Sequence, residues 1–410
     1  MQEYQIHTFS NGIRVVHKEV VHTKIAHCGI MLDMGSRDEK PHQQGLAHFW
    51  EHMAFKGTKK RSSFYILNRL EAVGGELNAY TTKEKVCFHA SLLDIHFEKA
   101  VELLADITFN STFPEAQLDK ERGVILEEMS MYYDSLEDAI QDDFDTVVFP
   151  NHQLGANILG NQESVMGFSK SDLQTFIDEN LDTRRIVFST VGNMSFKTVV
   201  KTVGKYLEAI PAKHSNRIRI APEAYKPQKI KINRANQQAH CVIGRTAYSM
   251  NDDRRLPFFI LTNLLGGQGM NSRFNLSLRE KYGIVYAIDA SYNAFVDSGF
   301  FSIYFATDTK QLKKANDLVE KELRKLMEVP LSERQLQAVK DQMMGQMAMA
   351  EESNMSFMLM MAKSILDMGR IETIQEVFDG IKAITAEQLQ MLSQEIYAPE
   401  QLSSLTFVGN

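Results

Sequence analysis

One order of elements occurs twice in this chain, and that recurrence limits the possible folds more than any single motif. Ala26-His27-Cys28 is echoed by Ala239-His240-Cys241, and both read as strands. Helical patterns near Leu256–Leu265 and Asn271–Lys281 answer one around residues 46–53 and one near Ser63–Val73. Strand patterns Ile284–Tyr292 and Phe300–Thr307 answer Glu76–Thr82 and Lys85–Leu93. Phe113-Pro114 ahead of a long helix is matched by Val329-Pro330 ahead of another, and Thr190-Val191-Gly192-Asn193 by Phe407-Val408-Gly409-Asn410. The offsets drift between about 208 and 217 residues, as in a diverged duplication. Between the copies, Lys213, His214, Ser215, Asn216, Arg217 and Arg219 lie in a proline-containing stretch that reads as a linker. The expected organisation is an α+β fold of two homologous modules, each a mixed or antiparallel sheet covered by helices. Residues 1–212 form the first module, 213–227 the linker and 228–410 the second.

Composition excludes several functions. A net charge of −7 argues against nucleic acid as the main partner. The three cysteines, Cys28, Cys87 and Cys241, are scattered and odd in number, so they form neither a disulfide framework nor a Cys-x-x-Cys metal site. No apolar run reaches about 18 residues, and the first residues do not read as a signal peptide. The expectation is no membrane association and a cytoplasmic location, or a periplasmic one if a leader has been removed.

Only the first copy carries the stretch His48-Phe49-Trp50-Glu51-His52. On a helix, positions 48, 51 and 52 share one face. Two imidazoles one turn apart can grip one metal ion, and the carboxylate beside them can take a proton from a water at that metal. The competing reading is two His and a Glu on a solvated helix face. A catalytic zinc needs a third protein ligand, and the long helix after Pro114 offers Glu121, Glu127 and Glu128. Glu121 and Glu128 are two turns apart on one face, with Glu127 rotated about 100° from Glu128. Spacing alone leaves Glu127 and Glu128 open as ligands. Glu121 suits an outer role, orienting a ligand His through its other ring nitrogen.

Other features carry less. Gly266-Gly267-x-Gly269 follows a helix and lacks a third spaced glycine, so it is no nucleotide loop. The methionines between Met343 and Met368 read as a buried helix packed with flexible side chains. Lys56, Lys59, Lys60 and Arg61 read as a solvated basic cluster.

Taken together, these stretches resemble the pitrilysin/insulysin (inverzincin) zinc peptidases, in particular the two-module group that includes the mitochondrial processing peptidase. The resemblance rests on Gly45-x-x-His48-x-x-Glu51-His52-Met53-x-Phe55-Lys56-Gly57-Thr58, on Gly74-Gly75-x-x-Asn78-Ala79-Tyr80-Thr81 and on Glu121-Arg122-x-Val124-Ile125-x-x-Glu128. In the second half it continues through Gly266–Phe274 to Leu278-Arg279-Glu280-Lys281-Tyr282-Gly283-Ile284-Val285-Tyr286. It implies a clamshell of two modules and a zinc endopeptidase acting on peptides or unfolded polypeptides, with one Zn²⁺ per chain. His48, His52 and Glu128 would be the ligands; Glu128, 76 positions after His52, has the family's interval and so is preferred to Glu127. Glu51 would activate the zinc-bound water, and Asn78 and Ala79 would contact substrate on an edge strand. Arg279 and Tyr286, from the half without metal residues, would hold the substrate backbone and stabilise the tetrahedral intermediate. A homodimer is implied, or pairing with an unlike family subunit. The alternative is a non-catalytic scaffold or core subunit of a larger complex. A third reading, a glyoxalase-type or other hydrolytic metalloenzyme, would use the same ligands.

Overall fold

Period-two alternation decides how the strands of this molecule are buried. In the computed structural model, which describes residues 4–234 and 237–409, eleven strands form two mixed sheets. The first contains β1 (Gln5–Thr8), β2 (Arg14–Glu19), β3 (Ile25–Leu32), β4 (Glu76–Thr81), β5 (Val86–Leu93) and β6 (Ile186–Gly192), in the order β1-β2-β6-β3-β5-β4. The second contains β7 (Lys229–Arg234), β8 (Gln238–Ala247), β9 (Val285–Ala294), β10 (Gly299–Asp308) and β11 (Ser403–Gly409), in the order β7-β11-β8-β10-β9. In each sheet one pair is parallel, β2 with β6 and β7 with β11, and the other pairs are antiparallel. Setting β1 aside, the two orders superpose strand for strand. The two Ala-His-Cys stretches fall on β3 and β8, which occupy the same place in their sheets. This is the α+β duplication that the recurrence predicts. Asn410 of the last repeated tetrapeptide lies outside the described residues.

The chain divides into two compact units whose boundaries are not those of the sequence halves. The first comprises Met1–Met129, Ala156–Arg219 and Met349–Ile371; the second comprises Ser130–Gly155, Ile220–Ala348 and Glu372–Asn410. In the first unit, Ala26, Cys28, Ile30, Phe88 and Phe188 point from the sheet into a core shared with helices Leu46–Ala54 and Phe97–Phe109. Their alternates Val16, Met31, Cys87 and Val187 point the other way, onto Phe357, Met358, Met361 and Ile365 of the helix Asn354–Met368. In the second unit, Val242, Phe300, Tyr304, Leu405 and Phe407 are covered by Ile140, Phe144 and Val147 of the helix Leu136–Val148. Each sheet thus has one face closed by a helix from the opposite half of the sequence.

Both exchanged helices begin alike. Ser135 follows the long helix Glu115–Asp134 and accepts from the Asp138 amide, and Ser353 follows Glu333–Glu351 and accepts from the Ser356 amide. The methionine-rich stretch is therefore two helices broken at a serine cap, rather than one. The predicted helix at Asn271–Lys281 also differs: its regular part is Asn275–Lys281, in π-helical geometry.

The stretch that reads as a linker is pinned at its start. Arg217 and Arg219 are nearly buried in the first unit, where Arg219 Nη1 meets Asp33 Oδ1 at 2.8 Å and Arg217 Nη1 meets Asp38 Oδ2 at 3.0 Å. Glu84, paired with Arg37 at 2.6 Å, completes the cluster. Buried charges in such a cluster depend on one another, because removing one strands its partner in a poorly solvating interior.

Candidate metal centre

The helix Leu46–Ala54 starts at Gly45, whose φ of +95° needs a residue without a Cβ. A Cβ there would also lie 2.4 Å from the Leu159 carbonyl oxygen. The buried carboxylate of Glu39 then accepts from the amides of Gly45 (2.9 Å) and Ala47 (2.7 Å), satisfying donors that a helix start leaves open. Burial holds the Glu39 carboxyl well above the usual carboxylate range, with the two amides opposing. Leu46, Ala47, Phe49, Trp50 and Met53 are fully buried and fix the helix on all but one side. His48, Glu51 and His52 occupy the remaining face.

The long helix Glu115–Asp134 supplies the other wall. Leu118, Glu121 and Ile125 form its buried stripe, and Glu128 continues that stripe one turn on. Glu127 points to solvent. Glu128 Oε2 lies 3.5 Å from His52 Nε2 and 3.8 Å from His48 Nε2. One ligand atom from each of His48, His52 and Glu128 lies within 4.8 Å of the others. Donors around a tetrahedral zinc, each at about 2.0–2.1 Å, sit roughly 3.3 Å from one another. These separations are long for hydrogen bonds and close to those of donors around a shared ion. Two imidazole nitrogens and a carboxylate oxygen are also the donor types zinc takes, so the residues fit a zinc ion.

Charge is distributed unevenly over the trio. Burial, then the neighbouring His52, pushes His48 down to about 4, with Glu128 opposing. Burial also works against charge on His52, but the adjacent carboxylates of Glu121 and Glu128 outweigh it and raise this imidazole to about 9. Each ring nitrogen of His52 thus faces a carboxylate, Nδ1 that of Glu121 and Nε2 that of Glu128. His52 Nδ1 is 3.1 Å from Glu121 Oε2, and Lys56 Nζ holds the other Glu121 oxygen at 2.7 Å. That contact turns His52 Nε2 towards Glu128. His48 has no such support: its Nδ1 is buried without a hydrogen-bond partner among the described residues.

Glu51 sits beside the trio. Burial raises its pKa, and a hydrogen bond from the Thr81 hydroxyl to Oε2 opposes that rise. Thr81 ends β4, the outermost strand of its sheet, which also carries Asn78 and Ala79. Ala79 faces the core and Asn78 is exposed. Arg279 and Tyr286 belong to the second unit, Arg279 in the π-helical segment and Tyr286 on β9 with a largely exposed ring.

Three side chains here were given no role by the sequence reading. Glu39 caps the helix Leu46–Ala54, Lys56 is bound to Glu121 rather than solvated, and Thr81 holds Glu51. Thr81 could have been found from alternation, since Leu77, Ala79 and Thr81 share the inward face of β4.

Known proteins similar to this chain place it in a family. Residues 14–162 match the family model described as insulinase (peptidase family M16), and residues 167–343 match the one described as the peptidase M16 inactive domain. A Bacillus subtilis protein named uncharacterized zinc protease YmxG is 31% identical over 97% of each chain. A Streptomyces coelicolor protein with a similar name is 30% identical over 98% of this chain and 88% of its own. Among solved structures, an M16 inactive-domain protein from Pseudomonas fluorescens superposes with a TM-score of 0.92 at 16% identity, covering 99% of this chain and 98% of that one. A Helicobacter pylori protease gives 0.90 at 17% identity, covering 99% and 100%. Both modules and the near-complete length of these matches lead to one conclusion: the chain belongs to peptidase family M16, the insulinase family.

Proposed function

We propose that this protein is a zinc endopeptidase that hydrolyses extended peptides or unfolded polypeptides. The observation that carries the reading is the approach of two imidazole nitrogens to one Glu128 oxygen, with Glu51 on the same helix face. His48, His52 and Glu128 would hold a single Zn²⁺, with Glu121 and Lys56 fixing His52. Bound there, the ion would act as a Lewis acid and make a water molecule acidic enough to lose a proton near neutral pH.

The protein's own groups do the rest. Glu51 takes a proton from the attacking water as its oxygen bonds to the scissile carbon. As the C–N bond breaks, Glu51 returns that proton to the leaving amine. The outer edge of β4 offers backbone donors and acceptors to an extended peptide, so affinity comes from main-chain pairing with little demand on sequence. Asn78 and Ala79 would line that strand of substrate. For Arg279 and Tyr286 we propose the role of donors to the substrate carbonyl and the tetrahedral intermediate.

The test is cleavage of a panel of internally quenched peptides by zinc-loaded protein, with and without chelator, beside Glu51→Gln. Wild type should exceed the variant by about 10²–10⁴-fold, and chelation should abolish the difference. Equal rates would overturn the peptidase reading in favour of a scaffold. Faster turnover of esters or thioesters than of peptides would move the reading to another class of hydrolase.

A further inference from the structure

A general base is useful only if its carboxylate presents the correct oxygen, and the Glu51 side chain has rotatable bonds that must be held. We propose that Thr81 is a positioning residue that locks the Glu51 carboxylate for proton transfer; this rests on the peptidase reading above. The Thr81 hydroxyl donates to Glu51 Oε2, which fixes the rotation of the carboxylate and leaves Oε1 for the proton of the attacking water. A hydroxyl has one proton to give, so the direction of this bond is set by the carboxylate's inability to donate when ionised.

The hydroxyl is itself held in place. Thr is branched at Cβ, which restricts its χ1. Its backbone pairs with Val86 across the β4–β5 ladder. The turn that follows is tied down on several sides. The Thr82 amide donates to the Lys85 carbonyl at 2.8 Å, and the Lys85 amide to Thr82 Oγ1 at 2.9 Å. The Ser36 amide reaches the Thr82 carbonyl at 3.2 Å, and the Arg37 amide reaches the Lys83 carbonyl at 2.7 Å. Glu84 is anchored by Arg37, and its carbonyl accepts from Arg219 Nη2 at 3.1 Å. This network braces the turn that follows Thr81. It holds the Thr81 hydroxyl against Glu51 before any substrate arrives, which is how a reacting group is pre-organised.

Thr81 makes no hydrogen bond to His48, His52 or Glu128 among the described residues, so the metal ligands and the base are oriented by separate side chains. That separation makes the proposal testable. Thr81→Val keeps shape and branching but removes the donor; Thr81→Ser keeps the donor. Zinc content and melting temperature of both variants should equal those of wild type. With a quenched peptide, Thr81→Val should lower kcat by about 10- to 100-fold with KM within about twofold, a share of the full general-base contribution. Thr81→Ser should recover most of that loss. In crystals of the zinc-free protein, the Glu51 carboxylate should take one orientation in wild type and several in Thr81→Val. The proposal is overturned if Thr81→Val retains kcat, if Ser rescues no better than Val, or if KM rises with kcat intact, which would make Thr81 a substrate contact instead. A wild type no faster than Glu51→Gln overturns the peptidase reading and this proposal together. A wild type well above Glu51→Gln but equal to Thr81→Val overturns this proposal alone.

Discussion

Glu127 and Glu128 are chemically identical, and a rotation of about 100° along one helix separates their fates. Glu128 continues the stripe of Leu118, Glu121 and Ile125 and meets both imidazoles; Glu127 faces water. Glu128→Gln should therefore lose bound zinc, measured by elemental analysis after gel filtration, while Glu127→Gln keeps it. The reverse result would move the ligand. Glu121→Gln should retain the fold but weaken zinc by about 10–100-fold, because His52 loses the group that orients it. At this scale the sequence already contained the imidazole pair, the proposed base and the outer carboxylate, since all four follow from spacing on two helices. Spacing left Glu127 against Glu128 undecided, and only the family's interval favoured one. Lys56 and Thr81 escaped notice for a different reason. Each acts on a residue distant in the chain, Glu121 and Glu51: nothing local distinguishes a solvated lysine from a paired one, and alternation gives the side Thr81 faces but not its partner.

Among the elements, the two exchanged helices carry the most information about stability. Met361 on Asn354–Met368 is fully buried against the first sheet, beside Val16, Met31 and Val187. Met361→Ala should destabilise the first unit by about 2–5 kcal/mol, read as a lower urea midpoint, through lost contacts and an unfilled cavity. A midpoint unchanged within error would mean the helix is not integral to that unit. Most strands were legible from alternation, and the duplication from the order of elements. The exchange was not legible. An apolar face on Leu136–Val148 does not say which sheet covers it, and that choice depends on contacts far apart in the chain. The break at Ser353 is a related case. Methionine-rich helical pattern continues on both sides of it, and only the capping geometry marks the boundary.

For the molecule as a whole, acid should act through the buried carboxylates that bind the segment after residue 212. Burial opposes ionisation of Asp182, but hydrogen bonds from the Arg184 side chain and from the Arg184 and Ser215 amides outweigh it and bring its pKa down to about 2. The unfolded value is about 3.9. A depressed folded value means the stabilisation is complete above the unfolded value and disappears as pH falls through about 2. Asp182→Asn should therefore lower the denaturation midpoint at pH 7, and the gap from wild type should narrow as pH falls below about 4. A gap that is constant between pH 7 and pH 3 would show that Asp182 acts only as a neutral acceptor.

The crossing of helices between sequence halves also bears on how the gene could be divided. A fragment ending at Arg219 would keep Leu136–Val148 without the sheet it covers and would leave Val16, Met31 and Val187 bare. The complementary fragment from Ile220 would have the mirror defect, a stranded Asn354–Met368 and an uncovered Val242, Phe300 and Phe407. Expressed singly, each piece should aggregate. Expressed in the same cell, the two should rescue one another and co-purify, because each holds the missing lid of the other's sheet.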